Sequence, residues 1–269
     1  MKNLLVRTLS GIVYVAIIYL ATRYYQVGYI VFPLLMILGI WEFQKMSDET
    51  FSRGMFISTS LLALVLFVAM HLMRHDPDIV SFLAGGAGTI VIMLSLFLFT
   101  RPHMKPNKSL LTFSIIYVGI PFALIPVWFG NQWGFTSNNL LLLFIIIWVN
   151  DSFAYLFGVS FGKHKLMPSV SPKKSWEGLI GGAVMSVITG ILVHRFNWVN
   201  GFELVEFEIF ILIAIIAANL GDLVESRFKR EAGIKDSGNI IPGHGGILDR
   251  LDSFIFALPA VSMLLVIIQ

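Results

Sequence analysis

Long apolar runs, separated by short polar segments, follow one another along most of the chain. A helix that crosses a bilayer needs roughly 20 largely apolar residues. Nine stretches meet that expectation, at residues 6–22, 27–43, 55–73, 79–100, 110–129, 139–157, 178–194, 207–224 and 252–268. The pattern predicts an all-α, polytopic integral membrane protein with about nine transmembrane helices. We predict an N-terminal part, residues 1–130, whose transmembrane helices carry few polar residues, and a C-terminal part, residues 131–269, whose helices and loops carry most of them. The alternative is one continuous membrane domain.

Composition supports the bilayer as solvent and excludes several kinds of chemistry. The chain is 57% hydrophobic and only 13% charged, whereas a typical soluble domain carries about 25% charged residues. It contains no cysteine, which excludes disulfides, thiol catalysis and cysteine-ligated zinc. The basic residues are not interleaved with exposed aromatic ones, so we expect no nucleic-acid partner.

The positive charge is distributed unevenly between the two sides that nine spans would create. Sixteen of the 19 lysine and arginine residues fall on the side that holds the N-terminus. Positive charge accumulates on the cytoplasmic side of membrane proteins. We therefore expect a multi-pass protein of the cell (inner, cytoplasmic) membrane, with the N-terminus and both large polar loops in the cytoplasm.

The densest polar stretch covers residues 219–252. Asp222, Glu225, Ser226 and Lys229 are spaced i, i+3, i+4 and i+7, so on a helix they share one face. Acids in or beside a membrane are costly and tend to be functional. A solvated helix end with i,i+4 ion pairs is the simpler interpretation of any one of them.

A glycine-rich turn follows at residues 242–246, flanked by basic residues. Glycines let backbone amides approach an anion, and a helix N-terminus adds its positive dipole end. The turn and the start of the last span thus predict a phosphate cradle, with an ordinary tight turn as the alternative. Asp249 and Asp252 share a face at that helix start, where acids also complement the helix dipole. If Asp222 faces Asp249, the pair suits magnesium, a hard cation that prefers oxygen ligands.

A second polar cluster lies at residues 171–178. Pro172 suits the first turn of a helix with Ser171 as its cap. Lys173 and Lys174 would meet lipid headgroups or a triphosphate, although an interfacial anchor explains them equally well. Elsewhere, Asn150 and Asp151 interrupt an apolar span, for which an interhelical hydrogen bond is the simpler reading.

Two groups of glycines are interpreted as close helix contacts rather than as sites. One is the stretch Gly85-Gly86-Ala87-Gly88, and the other is the pair formed by Gly178 and Gly182.

From Ser226 the chain reads SRFKR, four further residues, then KDSGNIIPGHGGILDRLD, ending at Asp252. This stretch resembles the signature of the phosphatidate cytidylyltransferases, also called CDP-diacylglycerol synthases. Residues 171–177 resemble that family's second recognisable motif. The motifs lie in the C-terminal part of the chain, while its length and many spans extend the resemblance over the whole.

The resemblance implies an enzyme that transfers a cytidylyl group from CTP to phosphatidic acid, giving CDP-diacylglycerol and pyrophosphate. It also implies Mg²⁺, a possible second, monovalent cation such as K⁺, and a possible homodimer. By motif position, Asp222 and Asp249 are the expected metal ligands. The expected catalytic groups are Lys229, Lys235, Asp236, His244, Arg250 and Asp252. The expected substrate-binding groups are Asn150, Asp151, Lys173, Lys174, Ser175, Glu177, Ser226, Arg230, Gly245 and Gly246.

Two other functions remain open at this point. An ion-coupled transporter would place acids at the membrane midplane, but the charges here cluster at one face and no inverted repeat is visible. A CTP-dependent polyprenol kinase would share spans, metal and nucleotide while transferring a different phosphoryl group. Pyrophosphate release separates the cytidylyltransferase from the kinase, which releases CDP, and from the transporter, which releases neither.

Overall fold

The computed structural model describes residues 2–46, 52–100, 113–130, 135–199, 202–243 and 245–268, without the side chains of residues 2–5 and 97–100. Helices dominate these ranges. They are α1 (Lys2–Arg23), α2 (Tyr25–Met46), α3 (Arg53–Met73), α4 (Pro77–Thr100), α5 (Ile115–Trp128), α6 (Ser137–Phe161), α7 (Trp176–Arg195), α8 (Leu204–Glu231) and α9 (Asp252–Ile267). Between α6 and α7 lies an antiparallel hairpin of β1 (Lys165–Met167) and β2 (Ser171–Ser175).

Length and apolarity allow seven of these helices to cross a membrane, while α5 and α9 are shorter. This confirms an all-α polytopic membrane protein. The predicted span at 110–129 differs from the structure, since α5 is π-helical over Ile115–Gly119 and then breaks into Ile120–Ala123 and Ile125–Trp128. Pro121 and Pro126 cause the breaks, because proline lacks the amide that an uninterrupted helix needs. Residues 110–112 lie outside the described part of the chain.

Helix α7 packs closely against α6 along a row of glycines. A Cβ at Gly178 would lie 2.6 Å from the carbonyl oxygen of Ala154, and one at Gly182 would lie 2.6 Å from that of Asn150. The predicted close contact at this pair is confirmed. In the other glycine group the prediction is confirmed at Gly88, where a Cβ would lie 2.6 Å from the Cβ of Met263 on α9. It was wrong at Gly85 and Gly86, since a Cβ at either would meet no atom of the described residues within 4 Å.

Aromatic side chains connect the first part of the chain with the second. The ring of Phe43 on α2 lies 5.0 Å from that of Tyr117 on α5 and 5.9 Å from that of Phe228 on α8, centroid to centroid. Such offset and edge contacts add to the burial of apolar area. They bring the C-terminal end of α2 beside the polar end of α8. The division into two domains stays a prediction.

The segment before α7 departs from the sequence prediction. Ser171 does not cap a helix, because residues 171–175 form β2, with Ser171 opposite Met167 and Ser175 opposite Lys165. Proline favours an extended conformation in the residue before it, which suits a strand at this position. Ser175 is the actual cap of α7, with Oγ accepting a hydrogen bond from the amide of Gly178 at 3.2 Å. The two lysines of the motif therefore lie on a strand.

Candidate active site

A cavity of about 670 Å³ lies where α6, α7, the hairpin, the end of α8 and the turn before α9 meet. Ten of the eighteen residues predicted for the site line it. They are Asp151, Lys173, Lys174, Ser175, Asp222, Lys229, Asp236, Asp249, Arg250 and Asp252. Segments more than 70 residues apart in the chain thus supply a single concave surface, lined by acidic and basic side chains.

One face of α8 supplies Asp222 and Lys229 to the lining of the cavity. Ser226 donates a hydrogen bond from Oγ to Asp222 Oδ1 at 3.1 Å. Lys229 Nζ lies 2.5 Å from Glu225 Oε2. Both contacts join residues one helical turn apart, as the i,i+4 spacing predicts. The predicted shared face is confirmed.

Asp249 accepts hydrogen bonds from a lysine and from two backbone amides. It accepts from Lys229 Nζ at 2.7 Å, from the amide of Ser237 at 3.2 and 2.9 Å, and from the amide of Gly246 at 2.8 Å. It lies in a short 3₁₀ turn at Leu248–Arg250, and α9 begins only at Asp252. The prediction that Asp249 belongs to the start of the last helix was therefore wrong. The turn and two backbone amides orient its carboxylate.

Lys174 connects the hairpin to α8. Its Nζ lies 2.5 Å from Asp222 Oδ2, and the two side chains are 25% and 29% exposed. An ion pair this accessible contributes little to folding, but it places a cation and an anion together at the cavity surface. Asp222 and Asp249 therefore both have a lysine partner.

The glycine-rich turn has a structural explanation that differs from the predicted cradle. Gly243 and Gly245 have φ values of +76° and +87°, a region that side chains with a Cβ rarely adopt. The amide of Ile241 donates to the carbonyl of Gly245 at 2.9 Å and closes the turn. Neither Gly245 nor Gly246 lines the cavity, and the Gly246 amide serves Asp249. A phosphate role for these amides stays a prediction.

Asn150, Glu177 and Arg230 were also predicted for the site but do not line the cavity. Asn150 donates to Asp151 Oδ1 at 3.3 Å. Glu177 accepts from His164, with 2.6 Å between Oε1 and Nδ1, and so ties α7 to the start of the hairpin. Arg230 donates to the carbonyls of Val170 and Ile234.

Two predicted catalytic residues have no confirmed place in the cavity. Lys235 is exposed and is not part of the cavity lining. His244 lies outside the described residues.

Sequence reasoning missed several residues at this site. Tyr155, Lys165 and Asn219 line the cavity. Asn219 begins the polar stretch at residues 219–252, which was a usable signal, whereas nothing in the local sequence of Tyr155 or Lys165 distinguishes them. Glu42 differs, because it is a fully buried acid near the end of α2 that reaches the turn before α9. The rule that acids in membrane spans are functional would have identified it.

The donor chemistry of the cavity fits a hard divalent cation. Five aspartates line it, at positions 151, 222, 236, 249 and 252, and carboxylate oxygens are the ligands that Mg²⁺ prefers. Among the described residues, however, no three acidic or histidine side chains already form a metal-binding group. A cation bound by Asp222 and Asp249 would have to replace lysine contacts.

Comparison with known proteins places the chain in a family. The model of the family described as "Cytidylyltransferase family" matches residues 4–268. The chain belongs to the cytidylyltransferase family. Within it, the chain is 45% identical over 156 residues to a phosphatidate cytidylyltransferase of Staphylococcus haemolyticus. Proteins of the same name from Staphylococcus saprophyticus and Staphylococcus aureus are each 44% identical to it, over 156 and 153 residues. Each alignment covers 57% of this chain and 57% of the relative.

Proposed function

We propose that this member of the cytidylyltransferase family transfers a cytidylyl group from CTP to phosphatidic acid, giving CDP-diacylglycerol and pyrophosphate. The observation that carries the proposal is the single cavity that joins the 171–178 segment to the 222–252 segment. It brings Lys174 onto Asp222 and Lys229 onto Asp249. The names of the relatives support the choice of phosphatidic acid as acceptor.

The reaction needs little proton chemistry. An oxygen of the phosphatidic acid phosphate forms a bond to the α-phosphorus of CTP. The bond from that phosphorus to the oxygen bridging to the β-phosphorus breaks, and pyrophosphate leaves with the bonding electrons. A phosphate monoester has a second pKa of about 6, so the attacking oxygen is already anionic near neutral pH. The obstacle is repulsion between two polyanions.

The cations of the cavity address that repulsion. Lys173, Lys174, Lys229 and Arg250 line it, and preorganised positive groups stabilise charge that develops in a transition state. Asp222 and Asp249 would hold Mg²⁺, whose chemistry here is to neutralise phosphate oxygens and orient them. Replacement of Lys174 as the partner of Asp222 would free its ammonium group for the substrate phosphates, whereas Lys229 would keep its contact with Glu225.

One wall of the cavity suits a lipid. Tyr155 and Val159 on α6 line it and are 70% and 71% exposed, on a helix long and apolar enough to span a membrane. A cavity with acids and lysines on one side and apolar side chains on the other matches an amphipathic substrate. We propose that the diacylglycerol portion lies against this wall while CTP enters from water.

We further propose that the cavity faces the cytoplasm of a bacterial cell membrane, where CTP is available. The positive charge near the cavity supports this orientation. A K⁺ ion beside Mg²⁺ and a homodimer remain proposals that rest on the resemblance.

The test is pyrophosphate release by the purified full chain in detergent. We expect release only when phosphatidic acid, CTP and Mg²⁺ are all present. Diacylglycerol, which lacks the attacking phosphate, is the matched control substrate and should give no release. CDP as product would indicate a kinase instead. No turnover from folded, lipid-supplied protein would contradict the proposal and direct attention to transport.

A further inference from the structure

Glu42 is the buried acid of α2 that the proposed reaction does not use. Its side chain is 0% exposed, and within the described part of the chain no lysine, arginine or histidine lies within ion-pair distance of it. Burying a carboxyl group without a cation is costly unless hydrogen bonds compensate. The hydrogen bonds that Glu42 makes therefore bear on its role.

The contacts of Glu42 lie in the segment between α8 and α9. Its Oε2 accepts a hydrogen bond from the amide of Leu248 at 2.8 Å and another from Ser237 Oγ at 3.1 Å. Gly238 and Gly246 leave the room it occupies, because a Cβ at either position would overlap the Glu42 carboxyl group. Two of the glycines in the motif thus accommodate a side chain from the first third of the sequence.

Ser237 and Leu248, which donate to Glu42, are each connected directly to Asp249. The amide of Ser237 donates to the two carboxylate oxygens of Asp249, at 3.2 and 2.9 Å. Leu248 immediately precedes Asp249 in the 3₁₀ turn. Glu42 therefore holds the backbone at Leu248, next to Asp249, and also holds Ser237, whose amide donates to the Asp249 carboxylate. Glu42 itself does not line the cavity.

We propose that Glu42 is a positioning residue that sets the orientation of the Asp249 carboxylate through Ser237 and Leu248. The proposal rests on the proposed function, in which Asp249 belongs to the reaction site. It explains why an acid near the end of α2 is fully buried against the motif. Glu42 makes this contribution by accepting hydrogen bonds from Leu248 and Ser237.

Three variants of the full chain test this contribution. Glu42→Gln keeps an oxygen that accepts both hydrogen bonds. Glu42→Met has similar length but no acceptor, so the Leu248 amide and Ser237 hydroxyl lose their partner. Ser237→Ala removes the hydroxyl contact alone and keeps the amide that serves Asp249. It is the milder variant if Glu42→Met fails to fold.

Gln44→Met is the matched control. Gln44 is also fully buried on α2, two residues further on, and it donates to Thr59 Oγ1 on α3 at 3.0 Å. The control therefore removes a buried hydrogen bond from the same helix without touching the segment that carries Asp249.

Two readouts are measured, kcat with CTP and phosphatidic acid, and deuterium uptake by the 236–249 segment. We expect Glu42→Met to lower kcat by about 10-fold to 100-fold, because small misplacements at a reaction centre cost about that much. Uptake in the segment should be faster in Glu42→Met and, to a smaller extent, in Ser237→Ala. Glu42→Gln should retain most activity and near-normal uptake, as should Gln44→Met.

Three results would overturn the proposal. They are wild-type kcat and uptake in folded Glu42→Met, equal losses in Gln44→Met, and a Glu42→Gln variant as impaired as Glu42→Met. Failure of the proposed function looks different, because the wild-type chain would then release no pyrophosphate. Even then, deuterium uptake tests whether the Glu42 contacts hold the 236–249 segment in place. Unchanged uptake in both Glu42→Met and Ser237→Ala would overturn the positioning proposal.

Discussion

Lys229→Met should strongly destabilise the protein and should also lower its activity. Lys229 Nζ lies between two carboxylates, 2.5 Å from Glu225 and 2.7 Å from Asp249. The three side chains are only 10%, 0% and 8% exposed. Methionine has a similar length but removes the charge, which leaves two buried acids facing each other without a cation.

The magnitude follows from this burial. Removing one partner of a buried ion pair typically costs about 3–5 kcal/mol, because the remaining charge is uncompensated. For a chain somewhat larger than a typical domain, about 1 kcal/mol corresponds to roughly 2–4 °C in melting temperature. We therefore expect a fall on the order of 10 °C, together with loss of most activity.

The assay is thermal unfolding in detergent followed by intrinsic fluorescence, for which the chain has six tryptophans. Lys174→Met is the matched comparison, since it removes a lysine–aspartate pair from the same cavity. That pair is 25% and 29% exposed, so its loss should cost about 1 kcal/mol or less. Both variants should lose activity, but only Lys229→Met should lose substantial stability.

Equal melting temperatures for the two variants would refute the reasoning from burial. A further check is the double variant Glu225→Gln with Lys229→Met, which removes one of the stranded charges. It should recover part of the lost stability, because contacting residues are energetically coupled. If the double variant is less stable than Lys229→Met alone, repulsion between buried acids is not the cause.

Three other predictions concern the metal ligands, the helix packing and the hairpin. Asp222→Asn or Asp249→Asn should remove most activity while the protein stays folded and inserted, and near-normal turnover in both would contradict the metal assignment. Gly182→Ala should destabilise by about 1–3 kcal/mol through overpacking. Gly86→Ala should not destabilise, because a Cβ there meets no atom of the described part of the chain within 4 Å, and equal effects of the two variants on unfolding would argue against the packing. Glu177→Ala should remove the contact between His164 and α7, loosen the start of the hairpin and raise the KM for CTP, and an unchanged KM would separate this contact from substrate binding.

Local spacing along the chain was enough to predict much of this protein. Apolar runs near the length of a bilayer crossing located the helices, because backbone groups in lipid must be satisfied within each segment. The i, i+3, i+4 and i+7 spacing placed Asp222 and Lys229 on one face of α8, because an α-helix repeats every 3.6 residues. The long motif after Ser226 also indicated the family.

Contacts between distant segments were decided only by the tertiary structure. Residues 171–175 form a strand because they pair with β1, and no local pattern near Pro172 indicated that pairing. Asp249 takes its orientation from Lys229 on α8 and from Gly246 on the preceding turn. Glu42 reaches Leu248 across 206 residues of sequence. Such contacts depend on where helices pack, and helical periodicity determines which face a residue occupies without determining which helix that face will meet.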